Sequence, residues 1–283
     1  MAGRDAGSPG TRASPARRDK GKRGKTRRGV SCEGRGATMK KTAKRFLAGV
    51  GIVLVLVILA LGGYLVKMNM ETRKMTPSAT GEITAGVYAI RDSYVNLFLI
   101  KGADGYIAVD AGNSLERVRQ EMQTLSIDPS KVTAVFLTHT DFDHVAALDL
   151  FPRATVYLSK AEEQMINGTT PRFVVIHNPK IPRYALLDDG QTIDVSGRSV
   201  RGIATPGHTP GAMSYVVDGA YLFVGDTMSL KNGKAGLFNE FFNMDSATQE
   251  ASIRKLAALK NPKFVFTAHY GFTDDAARAF GDR

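Results

Sequence analysis

The stretch that decides the reading of this chain is Leu137-Thr138-His139-Thr140-Asp141-Phe142-Asp143-His144. It follows an apolar run, residues 132–137, with the composition of a buried strand, and precedes a short helical segment over 145–150. The stretch is therefore a strand-to-helix loop. Alternate residues of an extended chain point the same way, which lets His139 and Asp141 converge. Asp143 and His144 fall at the turn into the helix, aimed at a neighbouring point. Four potential ligands within six residues, all imidazole or carboxylate, suit Zn²⁺, Mn²⁺ or Fe. The bland alternative is a helix-capping aspartate beside incidental histidines.

Three further stretches weigh against that alternative. Thr205-Pro206-Gly207-His208-Thr209-Pro210-Gly211 is a rigid turn that holds a histidine at a strand end. Leu222-Phe223-Val224-Gly225-Asp226-Thr227 ends a strand in a carboxylate, and Val265-Phe266-Thr267-Ala268-His269-Tyr270-Gly271 ends another in a histidine. The chain has five histidines, and these motifs hold four of them. The fifth, His177 in Ile176-His177-Asn178-Pro179, fits no motif and reads as a surface residue, with a role in a substrate loop left open. Lys231 and Lys234 read as solvated lysines on a loop after Asp226. Phe238, Phe241 and Phe242 read either as core or as an apolar lid.

Outward from these motifs, strands and helices alternate. Residues 83–90, 94–100 and 106–109 read as short strands, with a Gly102-Ala103-Asp104-Gly105 turn before the third. Residues 114–125 have helical spacing, with Ser114 as cap and Leu115, Val118, Met122 and Leu125 apolar. Residues 155–158, 199–204, 214–217, 220–224 and 264–267 read as strands, and 246–259 as a helix. This mixture predicts a layered α/β body with sheets at its centre.

Taken together, the motifs resemble those of the metallo-β-lactamase superfamily over about residues 82–271. The resemblance implies an α/β fold, an αββα sandwich with metal at one edge of its two sheets. Asp110, in Ala108-Val109-Asp110-Ala111-Gly112, matches the first motif, whose aspartate orients the site without binding metal. His139, Asp141 and His208 would hold one ion, Asp143, His144 and His269 a second, and Asp226 would bridge both. The implied activity is a metal-dependent hydrolase in which a metal-activated hydroxide attacks an ester or phosphodiester, with Asp143 orienting it or taking its proton. Two divalent ions are implied, zinc first, with manganese or iron as alternatives. The Thr-Pro-Gly-His-Thr-Pro-Gly turn is also similar to that of hydroxyacylglutathione hydrolases, which keeps a thioester or lactone substrate open. A non-catalytic metal-binding accessory protein is the third reading, disfavoured by the full ligand set.

Asp141 departs from the common pattern, which has histidine there. The aspartate variant resembles the sites of some phosphorylcholine esterases and of the hydrolase-like domain of DNA-uptake membrane proteins. A carboxylate adds negative charge and a harder oxygen ligand, which leaves room for Mn²⁺ or Fe beside Zn²⁺. The only cysteine, Cys32, lies far from the motifs, so a thiolate ligand is excluded.

The net charge of +11 invites a nucleic-acid reading, but its distribution removes it. Residues 1–45 hold 15 Lys and Arg against Asp5, Asp19 and Glu33, a net of +12, and the rest holds 23 against 24. A near-neutral body has no electrostatic footprint for a polyanion, so no specific nucleic-acid binding is expected. Residues 1–45 read as a disordered basic tail, either cytosolic or, over residues 1–38, lying upstream of a true start at Met39. Residues 46–66, FLAGVGIVLVLVILALGGYLV, contain no charge. A helix of that length spans roughly 30 Å, the thickness of a bilayer core. Lys40, Lys41, Lys44 and Arg45 precede it, which predicts a single-pass anchor with a cytoplasmic N-terminus and an extracytoplasmic body. Residues 67–81 read as a linker and 82–283 as the hydrolase domain, with a small-molecule or phosphoester substrate.

Overall fold

The computed structural model describes residues 33–173 and 176–281, with side chains from Met39 onward; Cys32 and the tail before it lie outside these. The chain forms two units, the first ending at Ala60 and the second running from Leu61 to Arg283. The first helix, α1 (Glu33–Thr72), is 40 residues long and contains the charge-free run. By length and composition it could cross a membrane, and its apolar span is not buried within the protein. It extends past both predicted limits, into the segment read as tail and into the segment read as linker. The reason is local: Ala37 to Arg45 and Lys67 to Glu71 consist mainly of residues that propagate a helix well.

The second unit is built on two sheets. The larger contains β1 (Gly81–Thr84), β2 (Val87–Asp92), β3 (Val95–Lys101), β4 (Tyr106–Val109), β5 (Val132–Phe136), β6 (Thr155–Ser159) and β7 (Ala185–Leu187), in that spatial order. The smaller contains β8 (Thr192–Val195), β9 (Arg198–Ala204), β10 (Met213–Val217), β11 (Tyr221–Phe223), β14 (Phe264–Phe266) and β15 (Phe272–Thr273), ordered β15-β14-β11-β10-β9-β8. Between β11 and β14 the chain makes a separate hairpin of β12 (Met228–Lys231) and β13 (Lys234–Leu237).

Alternation along the strands creates the layers. In β3, Leu97 and Leu99 face a cluster with Val118 and Met122 of α2 (Leu115–Thr124), whereas Phe98 and Ile100 face the opposite sheet. In β14, Phe266 points between the sheets, and Val265 packs with Ile253 and Leu256 of α5 (Ser246–Ala257) and with Phe280 of α6 (Ala276–Phe280). The order helix, sheet, sheet, helix is the αββα sandwich expected.

Strand direction then gathers the motifs at one edge. β4 and β5 are parallel, as are β11 and β14, so their C-terminal ends point to common sides. Asp110 follows β4, the 137–144 loop follows β5, Asp226 follows β11 and His269 follows β14. The sheets are tied there by Met213 N–H to Thr138 O at 2.8 Å and by the Tyr215 hydroxyl to Leu137 O at 2.7 Å. The segment after α1 is fastened as well, with Thr76 N–H donating to His269 O at 2.8 Å.

Two expectations need correction. The single strand over 83–90 is broken into β1 and β2, because Gly86 adopts a positive φ of 76° and turns the chain. The helix over 145–150 begins earlier, as α3 (Phe142–Val145), and is followed by a 3₁₀ turn, Leu148–Leu150. Asp141 is the N-cap residue of α3, so Asp143 and His144 stand on its first turn.

Gly225 is the tightest point of this edge. Its φ is +53°, and a Cβ there would lie 2.3 Å from Thr138 Oγ1. The left-handed backbone costs a non-glycine residue about 1–2 kcal/mol, and overpacking adds about 1–3 kcal/mol. Gly225→Ala is expected to lower the melting temperature by roughly 5–15 °C, read by circular dichroism. An unchanged melting temperature would show that this edge relaxes freely.

Candidate metal centre

Six of the seven predicted ligands stand in two triads, and each triad's ligand atoms lie within 4.8 Å of one another. His139, Asp141 and His208 form one, and Asp143, His144 and His269 the other. Asp226 stands between them. Its Oδ2 is 3.4 Å from His208 Nε2, while its Oδ1 is 3.2 Å from His269 Nε2 and 3.5 Å from His144 Nε2. The four rings are buried, and Asp141 and Asp143 are partly open to a cavity.

The hydrogen bonds behind the rings fix which nitrogen faces inward. Thr138 donates its hydroxyl to the Asp110 carboxylate, so the hydroxyl oxygen accepts the Nδ1 proton of His139 at 3.1 Å. His144 donates from Nδ1 to Asp110 Oδ2 at 2.9 Å. His269 donates from Nδ1 to the Tyr94 carbonyl at 2.7 Å, and His208 from Nδ1 to Asn243 Oδ1 at 3.2 Å. Each Nε2 is left with a lone pair turned into the centre, the arrangement that outer-shell partners create for metal-binding imidazole.

Those lone pairs meet carboxylate oxygens, and only that of His208 also faces a donor, Arg172 Nη2 at 3.3 Å. His208 Nε2 is 3.1 Å, and His139 Nε2 3.6 Å, from Asp141 Oδ2. His139 Nε2, His144 Nε2 and Asp226 Oδ1 are buried without a hydrogen-bond partner among the described residues. Acceptor facing acceptor is unfavourable unless a cation lies between. Tetrahedral bonds of 2.0–2.1 Å to zinc set ligand atoms roughly 3.3 Å apart, which these separations match. The residues present therefore fit a divalent metal.

Charge makes the same demand. Burial disfavours a charged His144, but Asp110, Asp226 and Asp143 outweigh it and push the ring up to about 10. Burial likewise opposes the charged forms of Asp141 and Asp226, yet both carboxyls are held well below the usual range. The neighbouring His139 and His208 rings and the charge of Arg172 hold Asp141, and His269, His144 and His208 hold Asp226. The pocket thus draws positive charge, as protons or as metal.

Several supporting residues carry no signal in the sequence. Arg172, buried, directs Nε to both oxygens of Asp141 at 2.8 Å and its Nη2 to Phe242 O at 2.5 Å. Asn178 donates to Asp141 Oδ1 at 3.1 Å. Glu162, also buried, accepts from Thr140 N–H and Thr140 hydroxyl, both at 2.8 Å, and from Thr209 hydroxyl at 2.7 Å. It thereby joins the 137–144 loop to the His208 turn. Phe238 packs edge-on over His208 at 5.0 Å and roofs the centre with Phe242. His177 is exposed on the cavity wall, whereas Lys231 and Lys234 stand on the β12–β13 hairpin.

Comparison with known proteins follows the same lines. The sequence profile of the Metallo-beta-lactamase superfamily matches residues 90–269. The chain is 32% identical over 187 residues to a hydroxyacylglutathione hydrolase of Aeromonas hydrophila, covering 65% of this chain and 63% of that protein. It is 29% identical over 139 residues to a probable polyketide biosynthesis zinc-dependent hydrolase of Bacillus velezensis, covering 48% of this chain and 55% of that protein. The chain thus spans between half and two thirds of the length of these two relatives. Among solved structures, a metallo-beta-lactamase of Cronobacter sakazakii with a HARLDQ motif shares the fold, with a TM-score of 0.56 and 23% identity over 71% of this chain and 81% of that one.

Glu162 offers a test of how the two loops are held. Glu162→Ala strands three buried donors at about 1 kcal/mol or more each, and should lower stability by about 3 kcal/mol together with bound metal per chain. Glu162→Gln keeps an acceptor for Thr140 and a donor for Thr209, and should lose about 1 kcal/mol. Thermal melts and elemental analysis of both variants check this; equal losses would show that the Glu162 bonds do not hold the site.

Proposed function

Because the chain belongs to the metallo-β-lactamase superfamily, we propose that it is a membrane-tethered, metal-dependent hydrolase of an acyl ester or thioester. The observation that carries this is the double triad with Asp226 between. His139, Asp141 and His208 would hold one divalent ion and Asp143, His144 and His269 a second, with Asp226 placed to serve both. When bound, such a pair supplies a water of lowered pKa and a Lewis acid for the carbonyl oxygen under attack.

The protein's own groups do the rest. Asp143, partly open to the cavity and 3.5 Å from His269 Nε2, orients the incoming water and takes its proton. Asp110 and the Tyr94 carbonyl hold His144 and His269 in register for that step. Tyr94 also lines the cavity; burial, then Asp143 and Asp226, keep its hydroxyl protonated and able to donate a hydrogen bond. Arg172 neutralises Asp141 and leaves the cavity without a free cation among its described lining residues. That favours a neutral acyl carbonyl over a phosphodiester. The relative named for hydrolysing an acylated glutathione supports the same order of preference. The charge-free run of α1 and the lysines before it support an anchor with the catalytic body on the extracytoplasmic side.

The full chain, purified in detergent and reconstituted with Zn²⁺, Mn²⁺ or Fe²⁺, is expected to hold close to two ions by elemental analysis. A panel of nitrophenyl acetate, an acylated glutathione, a lactone and bis-nitrophenyl phosphate should show acyl substrates preferred. Asp143→Asn should lower kcat by roughly 10²–10⁴-fold. Absence of metal after all three reconstitutions would remove this reading, and preferential phosphodiester turnover would replace its substrate class.

The anchor is tested separately. Full-length protein should stay with membranes through high salt and carbonate, since an integrated helix is insensitive to ionic strength and a basic tail is not. Release of the body into the supernatant would show that the apolar run is no anchor.

A further inference from the structure

The cavity above the metal centre, about 670 Å³, has the size of a small-molecule site but an unusual wall. On one side it is formed by Leu65, Met68 and Thr72 from the last turns of α1. On the other it is formed by Phe173, Ile176 and Phe242. At its floor stand Asp141, Asp143, Asp226, His208 and His269. The end of α1 is fastened to this wall. Tyr64 packs on Phe241 at 5.3 Å and on Phe173 at 6.4 Å, and Glu71 accepts from Asn239 at 2.9 Å.

Two features of the wall point to its occupant. Val66 ends the charge-free run, and Met68 in the cavity is only two residues further on. The lining is mostly apolar, and large apolar side chains stay open to the outside, with Phe142 60% and Ile176 62% exposed. Exposed apolar groups clustered around a cavity mark a surface that meets an apolar ligand or a membrane. Among the described lining residues, Asn69 and Asn178 carry no charge, and the one guanidinium, of Arg172, is spent on Asp141.

We infer that the substrate is a long-chain acyl ester resident in the bilayer, whose acyl chain lies along the end of α1 against the side chains of Phe173 and Ile176, with its ester carbonyl at the metal centre. This rests on the hydrolase and the anchor proposed above. In the reaction, the oxygen of water bonds to the acyl carbon and the bond from that carbon to the alcohol oxygen breaks. One proton of the water leaves with the alcohol, so a fatty acid and an alcohol are formed.

The test uses the full chain in phosphatidylcholine nanodiscs. Across nitrophenyl esters, kcat/KM should rise at least tenfold from butyryl to octanoyl; full burial would give about fourfold for each methylene. The octanoyl-to-acetyl ratio should fall at least fivefold in Met68→Gln and in Ile176→Gln, where a general loss of catalysis would lower both alike. A diacylglycerol in the same discs should be hydrolysed. Independently of turnover, a diazirine-bearing fatty acyl ester in the discs should label peptides containing residues 64–75 or 172–179. A flat chain-length profile with sound acetyl ester turnover, or labelling elsewhere, would overturn the inference and leave the hydrolase standing. Turnover of soluble octanoyl ester but not of diacylglycerol would overturn the bilayer source. Failure of every ester and thioester would remove the hydrolase reading itself.

Discussion

The Asp110 carboxylate is the constraint on which the site depends. It accepts Thr138 N–H at 2.7 Å, the Thr138 hydroxyl, and His144 Nδ1–H. Through Thr138 it sets the ring of His139 as well. One carboxylate thus determines the inward nitrogen of a histidine in each triad. Asp110 has a φ of +63°, a conformation that costs an L-residue energy and persists only where its surroundings over-determine it. Here they do, because the Asp110 N–H is held by Phe136 O at 3.0 Å at the end of two parallel strands. Strand pairing, the turn and the hydrogen bonds behind His139 and His144 are one device.

The rest of the centre is arranged around the same edge. Gly225 lets the strand end before Asp226 pass close against Thr138, Glu162 ties the two histidine-bearing loops, and the backbone of Tyr94 and Ala268 links β3 to the His269 turn. None of these groups needs to touch a substrate. Their work is to hold lone pairs at separations that a cation spans, and those of His139, His144 and Asp226 Oδ1 meet no donor among the described residues.

The clustered histidines and aspartates were legible in the sequence because their chemistry sits in side chains at strand ends, where turn residues advertise them. The strands β4 and β5 and the cap at Ser114 were legible for similar reasons: short apolar runs and a hydroxyl before a helical period. The supporting groups were not. Tyr94 acts through a backbone carbonyl, which leaves no trace in residue identity. Arg172 lies 31 residues from Asp141 in an irregular segment, and Glu162 resembles any surface glutamate until folding buries it. The β12–β13 hairpin could have been found from Asn232-Gly233, both with positive φ, the usual two-residue hairpin turn. Lysines on either side obscured it. The length of α1 was underestimated because the reading stopped at the first charge, whereas helix propensity does not stop there.

The pairing of Asp141 with Arg172 has a consequence for how this site can change over time. A histidine at 141 would restore the commoner ligand pattern while leaving a buried guanidinium without its counter-charge, a state that costs several kcal/mol. Loss of Arg172 alone would leave a surplus carboxylate beside His208 and alter the attraction of this triad for a cation. The two positions behave as a single heritable unit, crossed only by paired exchange or through a weakened intermediate. In a set of homologous sequences, the ligand at 141 and the base at 172 should therefore vary together, although 31 residues separate them.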